Sequence, residues 1–444
     1  MKTRIVALVI SAVMIALLFS GCSLSVKAPE TLMSPPRLTG GYQDLQDTFE
    51  TEVGSNVALI APANGEHKSA FIVDDFNSDS REEAIVLYSL KETEEAVSVG
   101  IFQKENDEWK YIKSVVGLGS SVDIVVIEDM NRDGIKEVVI GWNLSTNNKQ
   151  VSVYEPDLSL PSTFTGLGSY QYNMLEMIDV DSDGGKELFF VNLDTTGVVP
   201  SATANVLKID ESKRSVNELS TISIDGNVSG YNGITAGDDG CIYVDAFKNE
   251  HDMITEVILW NKDSKTLQAP LFDAETQSTA ATWRSHRIPV SDIDSDGKLE
   301  IPVGIEVVGS TQVNSGVLQE ESLYYVKWCS FTGGKLKAEK YCLYNTVEGY
   351  SLDIPSSWVG KITITSLDSQ WYFYRWNKSA SEHMGELLFT VVSHPTDTMG
   401  LEGYSRLTEY EGKAFEYLIT ASGKAFGVKD NHFKNGFTVT DIGE

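Results

Sequence analysis

The sequence predicts a mainly β fold in which one strand–loop–strand unit is repeated. Three observations predict it: an acidic nine-residue pattern occurs four times, apolar runs rich in β-branched residues flank each copy, and the first three copies recur at intervals near fifty residues. The first copy places oxygen side chains at Asp75, Asn77, Asp79 and Glu83, and the second at Asp129, Asn131, Asp133 and Glu137. The third uses Asp179, Asp181, Asp183 and Glu187, and the fourth Asp292, Asp294, Asp296 and Glu300. Each set falls at loop positions one, three, five and nine.

That spacing is the signature of a hard-cation site. Ca²⁺ takes six to eight oxygens, and alternate residues of a tight loop converge on one point. Gly134, Gly184 and Gly297 stand at position six, where a sharp turn favours the residue without a Cβ; the first copy has Ser80 there. An EF-hand would extend to a Glu at position twelve and continue as a helix. Here the ninth residue leads directly into Ala-Ile-Val-Leu, Val-Val-Ile-Gly, Leu-Phe-Phe-Val or Ile-Pro-Val-Gly, and apolar runs at 70–73, 124–127, 175–178 and 288–290 precede the loops. The unit is therefore strand, calcium loop, strand. A lone D-x-D-x-D-G is often only a polar turn, but four in phase with a ninth-position Glu exceed what turn preference supplies.

The first aspartates lie 54, 50 and 113 residues apart, so two units fit the last interval. Within it, the segment with Asp245, Asn249, Asp252 and Glu256 keeps the outline of strand, acidic turn and strand but has Phe247 at the third position. It reads as a worn copy that has lost its metal. A period near fifty, all strand and turn, matches about four strands per unit and so a β-propeller of about five blades, or six or seven if others lack the loop. Position alone suggests closure between a first strand at 57–61 and a last at 324–328.

The four loops and their flanking strands resemble FG-GAP or VCBS-type repeats, the calcium-loop blades of integrin α-chain propellers and many bacterial surface proteins. The resemblance covers roughly residues 55–345. It implies that the sixteen oxygen-bearing residues named above are ligands to about four structural Ca²⁺ ions.

The N-terminus predicts export. Met1-Lys-Thr-Arg4 is basic, residues 5–19 are apolar apart from Ser11, and Phe19-Ser-Gly-Cys22 ends the run. Fifteen residues fall short of the ~20 that cross a bilayer as a helix. The segment resembles a bacterial lipoprotein signal, with Cys22 as the lipidated residue that anchors the protein to the outer side of a membrane. The expected organisation is a signal peptide at 1–22, a Pro- and Gly-containing tether at 23–41, the propeller at 42–345, and a small C-terminal mostly β domain with a little helix at 346–444.

Charge agrees with this reading. The sixteen ligand residues include fourteen carboxylates, about half of a formal net charge of −29, and bound cations would turn their repulsion into attraction. The same acidity excludes nucleic acid as a partner, which needs basic surface. Cys329 and Cys342 flank a Gly333-Gly334 turn. A two-residue turn there sets Cys329 opposite Ala338 and Cys342 opposite Tyr325, too far apart for a disulfide, so buried thiols are expected. In the C-terminal part, Trp371, Tyr372, Phe373, Tyr374 and Trp376 alternate as core and edge residues of a strand.

None of the six histidines forms an H-E-x-x-H motif, and the chain has neither a nucleophile elbow nor a P-loop. With no nucleophile to name, the favoured function is a non-catalytic binding or scaffold module at the cell envelope, with an unknown envelope protein or glycan as partner. The alternative is a polysaccharide-active lyase or hydrolase on the same scaffold; fold alone does not choose.

Overall fold

The computed structural model describes residues 42–91, 96–145, 148–157, 163–210, 214–319, 321–377 and 384–440. The expected signal peptide, Cys22 and the expected tether lie outside the described residues. The chain is mainly β. Four up-and-down antiparallel sheets follow one another, then a five-stranded and a seven-stranded sheet.

The second sheet comprises Ser121–Glu128, Glu137–Ser145, Asn148–Asp157 and Thr163–Tyr172, and the third Met174–Ile178, Glu187–Asp194, Ser201–Asp210 and Ser215–Ile224. The fourth comprises Gly230–Ala236, Cys241–Phe247, Met253–Asn261 and Thr266–Gln268. These are the four-stranded units that the fifty-residue period predicts. The first sheet differs at one edge, where Phe71–Asp74 pairs with residues 83–86 of Glu83–Leu90 and Val57–Leu59 pairs with residues 88–90. Ser98–Glu105 and Glu108–Val116 complete it.

This pairing corrects the expected closure. Val57–Leu59 is used within its own sheet, because Phe71–Asp74 spans only half of the strand it borders. Residues 324–328 belong to Tyr324–Thr332, which is flanked on both sides in the fifth sheet.

Successive sheets share cores. Ile85 and Leu87 of the first pack with Val138, Ile140 and Trp142 of the second. Val151 and Val153 then meet Leu188 and Phe190, Phe189 and Val191 meet Val244 and Ile258, and Tyr243 and Val257 meet Ile301 and Val303. Residues such as Ile140, Val191 and Ile301 are fully buried. Complete burial of such a side chain stabilises by about 1.5–3 kcal/mol. The other face of the first sheet is covered by helix α1 (Gln43–Glu52), which lies within the stretch expected to be all strand and turn. Leu45 and Phe49, four residues apart and so on one helical face, are buried against Phe71, Tyr88 and Phe102. The Phe49 ring lies 5.4 Å from Tyr88 and 5.7 Å from Phe71, edge-on to both. No core cluster of described residues joins the first sheet to the sixth.

The strands do not divide at residue 345. Tyr350–Asp353 and Phe437–Val439 extend the fifth sheet, beside Ile301–Glu306, Tyr324–Thr332 and Lys335–Asn345. The hairpin of Thr311–Asn314 and Val317–Gln319 joins the sixth sheet, where Thr311–Asn314 runs parallel to Ile362–Leu367. Gln370–Trp376, Met384–Pro395, Lys413–Ile419 and Ser405–Tyr410 follow. Trp371 and Phe373 are buried while Tyr372 and Tyr374 are half-buried, the alternation expected of a packed strand. Two short helices, α2 (Ala421–Phe426) and α3 (Asp430–Gly436), precede the last strand.

Cys241, Cys329 and Cys342 are buried thiols. Cys329 faces Ala338 as predicted, but a bulge at Trp328 and Cys329 sets Cys342 opposite Val326 rather than Tyr325.

Candidate metal centres

All four acidic loops fold alike. In each, the position-one aspartate accepts the N–H of position five at 3.1–3.2 Å and that of position six at 2.8–3.1 Å. The position-three oxygen accepts the position-five N–H at 3.1–3.2 Å, and the position-five carboxylate accepts the position-seven N–H at 2.8–2.9 Å. Position four has φ between 58° and 62°, and position six is left-handed too. Ser80 takes up that conformation at φ 66°, so the first loop follows the same course as the three with glycine.

The ninth-position glutamate anchors the site. Glu83, Glu137 and Glu187 are completely buried and Glu300 is 3% exposed. In each, Oε2 accepts the N–H of position two at 2.9–3.1 Å. Position two is apolar in every copy; Phe76, Met130 and Val180 are buried and Ile293 is partly buried, which pins the loop to its sheet. This apolar second position was legible in the sequence but was not among the expected signals.

Burial raises the carboxyl pKa of Glu83 to about 7 and of Glu137 to about 8, with the neighbouring loop aspartates adding to both. Glu187 and Glu300 are raised as well, again chiefly by burial. The Glu137 Oε1 atom is buried and accepts no hydrogen bond. A buried carboxylate oxygen without a donor is costly, and a hard cation among these oxygens is the chemistry that would relieve it. The residues therefore fit Ca²⁺. In the third loop, oxygens of Asp179, Asp181 and Glu187 lie within 4.8 Å of one another, as do those of Asp292, Asp294 and Glu300 in the fourth. The first two loops carry Asn at position three, so they gather fewer carboxylates.

The third loop also receives a lysine. Lys208 Nζ lies 3.2 Å from Asp181, 2.5 Å from Asp183 and 3.1 Å from Glu187. Lysines also staple neighbouring loops: Lys136 pairs with Asp74 at 2.8 Å and Lys186 with Glu128 at 2.9 Å, each joining position eight of one loop to the residue preceding the loop before it.

The fourth sheet lacks the loop. Its first two strands are joined by the short turn of residues 237–240. The supposed worn copy occupies a different place: Asp245 lies in a strand, and Asn249 and Asp252 form the turn between the second and third strands, at the opposite edge. Asp245 is buried against Arg284, which is 0% exposed, with Nη2 at 2.8 Å from Oδ1. Arg284 also donates to Thr255 Oγ1 at 3.0 Å and to the Ile288 carbonyl at 2.6 Å. Glu256, pushed up to about 7 by burial, accepts the Asp225 N–H and the Thr279 hydroxyl.

The edge opposite the loops has another character. Following the up-and-down course of the strands, Leu90, Val116, Leu118, Val198, Val199 and Val308 lie at turns on that edge, all more than 40% exposed.

No protein-family model matches this chain, and no curated protein matches it. Among solved structures it is similar to Sqt1 of Chaetomium thermophilum, at 9% identity over 83% of this chain and 99% of that one, with a TM-score of 0.31. It is similar to the beta-propeller domain of the Trilobed protease from Pyrococcus furiosus, at 12% identity over 72% and 92%, with a TM-score of 0.27. A chain of the Chaetomium thermophilum polycomb repressive complex 2 is 10% identical over 72% of this chain, with a TM-score of 0.29, and the match spans about half of that chain's length.

Proposed function

We propose that this protein is a calcium-stabilised, propeller-like binding module held at the outer side of a membrane by a lipid on Cys22. Its five successive sheets act as blades, four of them carrying a structural Ca²⁺ held by the sixteen loop residues. The observation that carries the metal reading is the buried ninth-position glutamate in all four loops, aimed at a set of acidic oxygens. A partner-binding role would draw on the opposite edge, where exposed valines and leucines lie at turns away from the acidic loops. The partner class is an envelope protein or glycan.

A metal count by mass spectrometry, with thermal unfolding of the full chain in calcium and in chelator, tests the reading. About four Ca²⁺ per chain and a large upward shift of the transition are expected. No bound metal and no shift would overturn it. Cys22→Ala should move the protein from the membrane fraction to the soluble fraction.

A further inference from the structure

A cavity of about 400 Å³ opens beside the fifth sheet, within the ~300–1,000 Å³ range of small-molecule pockets. Its walls are Lys335–Asn345, Tyr350–Asp353 with the turn that follows, and helix α3. Gly436 makes this wall possible. A Cβ there would lie 2.8 Å from the Asp353 Cβ, so only glycine lets the helix rest on the strand. Phe437–Val439 then pairs with residues 350–352 and holds the helix in place.

Each charged group lining the cavity is engaged in an ion pair, Asp353 with Lys340 inside it and Glu339 with Lys337 beside it, which leaves uncharged groups to donate and accept. Asn431 and Asn435 stand one helical turn apart, both exposed. His432 accepts the Lys429 N–H at Nδ1 (3.2 Å), which leaves Nε2–H to donate. Burial holds its pKa below the usual histidine value, so the ring is neutral at neutral pH. Asp353 is matched by Lys340 at 2.9 Å, and the Cys342 thiol donates to the same Oδ1 at 3.2 Å. Glu339 is paired with Lys337 at 2.9 Å. Pro355 and Tyr341 supply apolar wall.

An anion would meet Asp353 and Glu339, a cation would meet Lys340, and a wholly apolar ligand would strand two amides and an imidazole. We propose that this cavity binds a neutral polyhydroxylated ligand, a saccharide unit. Sugar hydroxyls both donate and accept, as side-chain amides do, and the C–H face of a sugar ring suits the Pro355 and Tyr341 surface. The site gives a ligand class to the binding role proposed above, but it depends on neither the acidic loops nor the apolar edge.

Calorimetric titration of the full chain with chitotriose and with maltotriose tests this. One-to-one binding of at least one trisaccharide is expected. Asn431→Ala with Asn435→Ala should weaken it roughly tenfold or more, as two lost hydrogen bonds imply, and Ser356→Trp, at an exposed position on the rim, should abolish it. Both variants should unfold at the wild-type temperature. Failure of both sugars to bind at millimolar concentration would overturn the proposal, as would binding that neither variant changes. Either failure would leave the metal count of the loops untouched, so the two readings fall separately.

Discussion

The third and fourth sheets stand side by side and share a core, yet they manage buried acid in different ways. The third brings Glu187 together with Asp179 and Asp181, a cluster whose oxygens fit an ion from solution. In the fourth, Asp245 meets the Arg284 guanidinium, a cation that the chain itself supplies. If the third loop binds calcium as proposed, its seam is only as stable as the calcium around it, while the seam at Asp245 depends on one side chain of the chain itself. Lys208 places the third loop between these extremes, because its ammonium already engages three of the four ligand positions.

Chelation should have the largest effect. A site held at a hundredfold excess of calcium over its dissociation constant stabilises by about 2.7 kcal/mol, and four such sites lost together should lower the unfolding temperature far more than any single substitution. Differential scanning calorimetry in calcium and in chelator reads this directly. An unchanged transition would erase the contrast between the sheets.

Next in size is Arg284→Met. It leaves Asp245 buried and unpaired, and should destabilise by about 3–5 kcal/mol, equally with and without calcium. Adding Asp245→Leu should recover most of the loss, since an apolar pair can replace a buried ion pair. If the single variant lost its effect in chelator, the two sheets would not be independent.

Glu137→Gln sharpens the contrast through its sign. In calcium it removes a ligand and should destabilise by about 1–3 kcal/mol; in chelator it removes a carboxyl that must take up a proton to be buried, and should stabilise. The pH dependence follows the same residue. The folded carboxyl titrates near 8 against an ordinary 4.5, so in chelator the folded chain holds the extra proton across that window. Stability should therefore fall as pH rises from 4.5 to 8. Calcium, which favours the carboxylate, should flatten or reverse that slope, and denaturant melts at several pH values would show it.

The smallest expected effect is at Ser80. A left-handed φ costs an L-residue more than it costs glycine, so Ser80→Gly should stabilise by about 0.5–1 kcal/mol. It should also bring the first loop's calcium affinity closer to that of the second, which shares its Asn at position three.

The loops and their flanking strands were legible because their code is short-range: ligand spacing, a turn residue and an apolar run all fall within about fifteen positions. The alternation of Trp371 to Trp376 was legible for the same reason. Helix α1 was within reach too, through Leu45 and Phe49 at helical spacing. What stayed hidden is long-range. Thr311–Asn314 finds its parallel partner some fifty residues later, and Phe437–Val439 returns to a sheet that begins at Ile301. Arg284 carries no local sign that it will neutralise Asp245, and no motif marks Lys136 and Lys186 as staples between loops. Such pairings are set by how whole sheets stack, which spacing along the chain does not encode.

Helix α1 has a consequence for how many molecules take part. Each sheet presents a face that fits the sheet after it, so a first sheet left bare would be a docking surface for the corresponding face of another copy, and copies could add end to end as a filament. Leu45 and Phe49 occupy that surface with an element that offers no matching face in return. A ten-residue helix thus covers the face through which the stacking of sheets could otherwise continue into another chain.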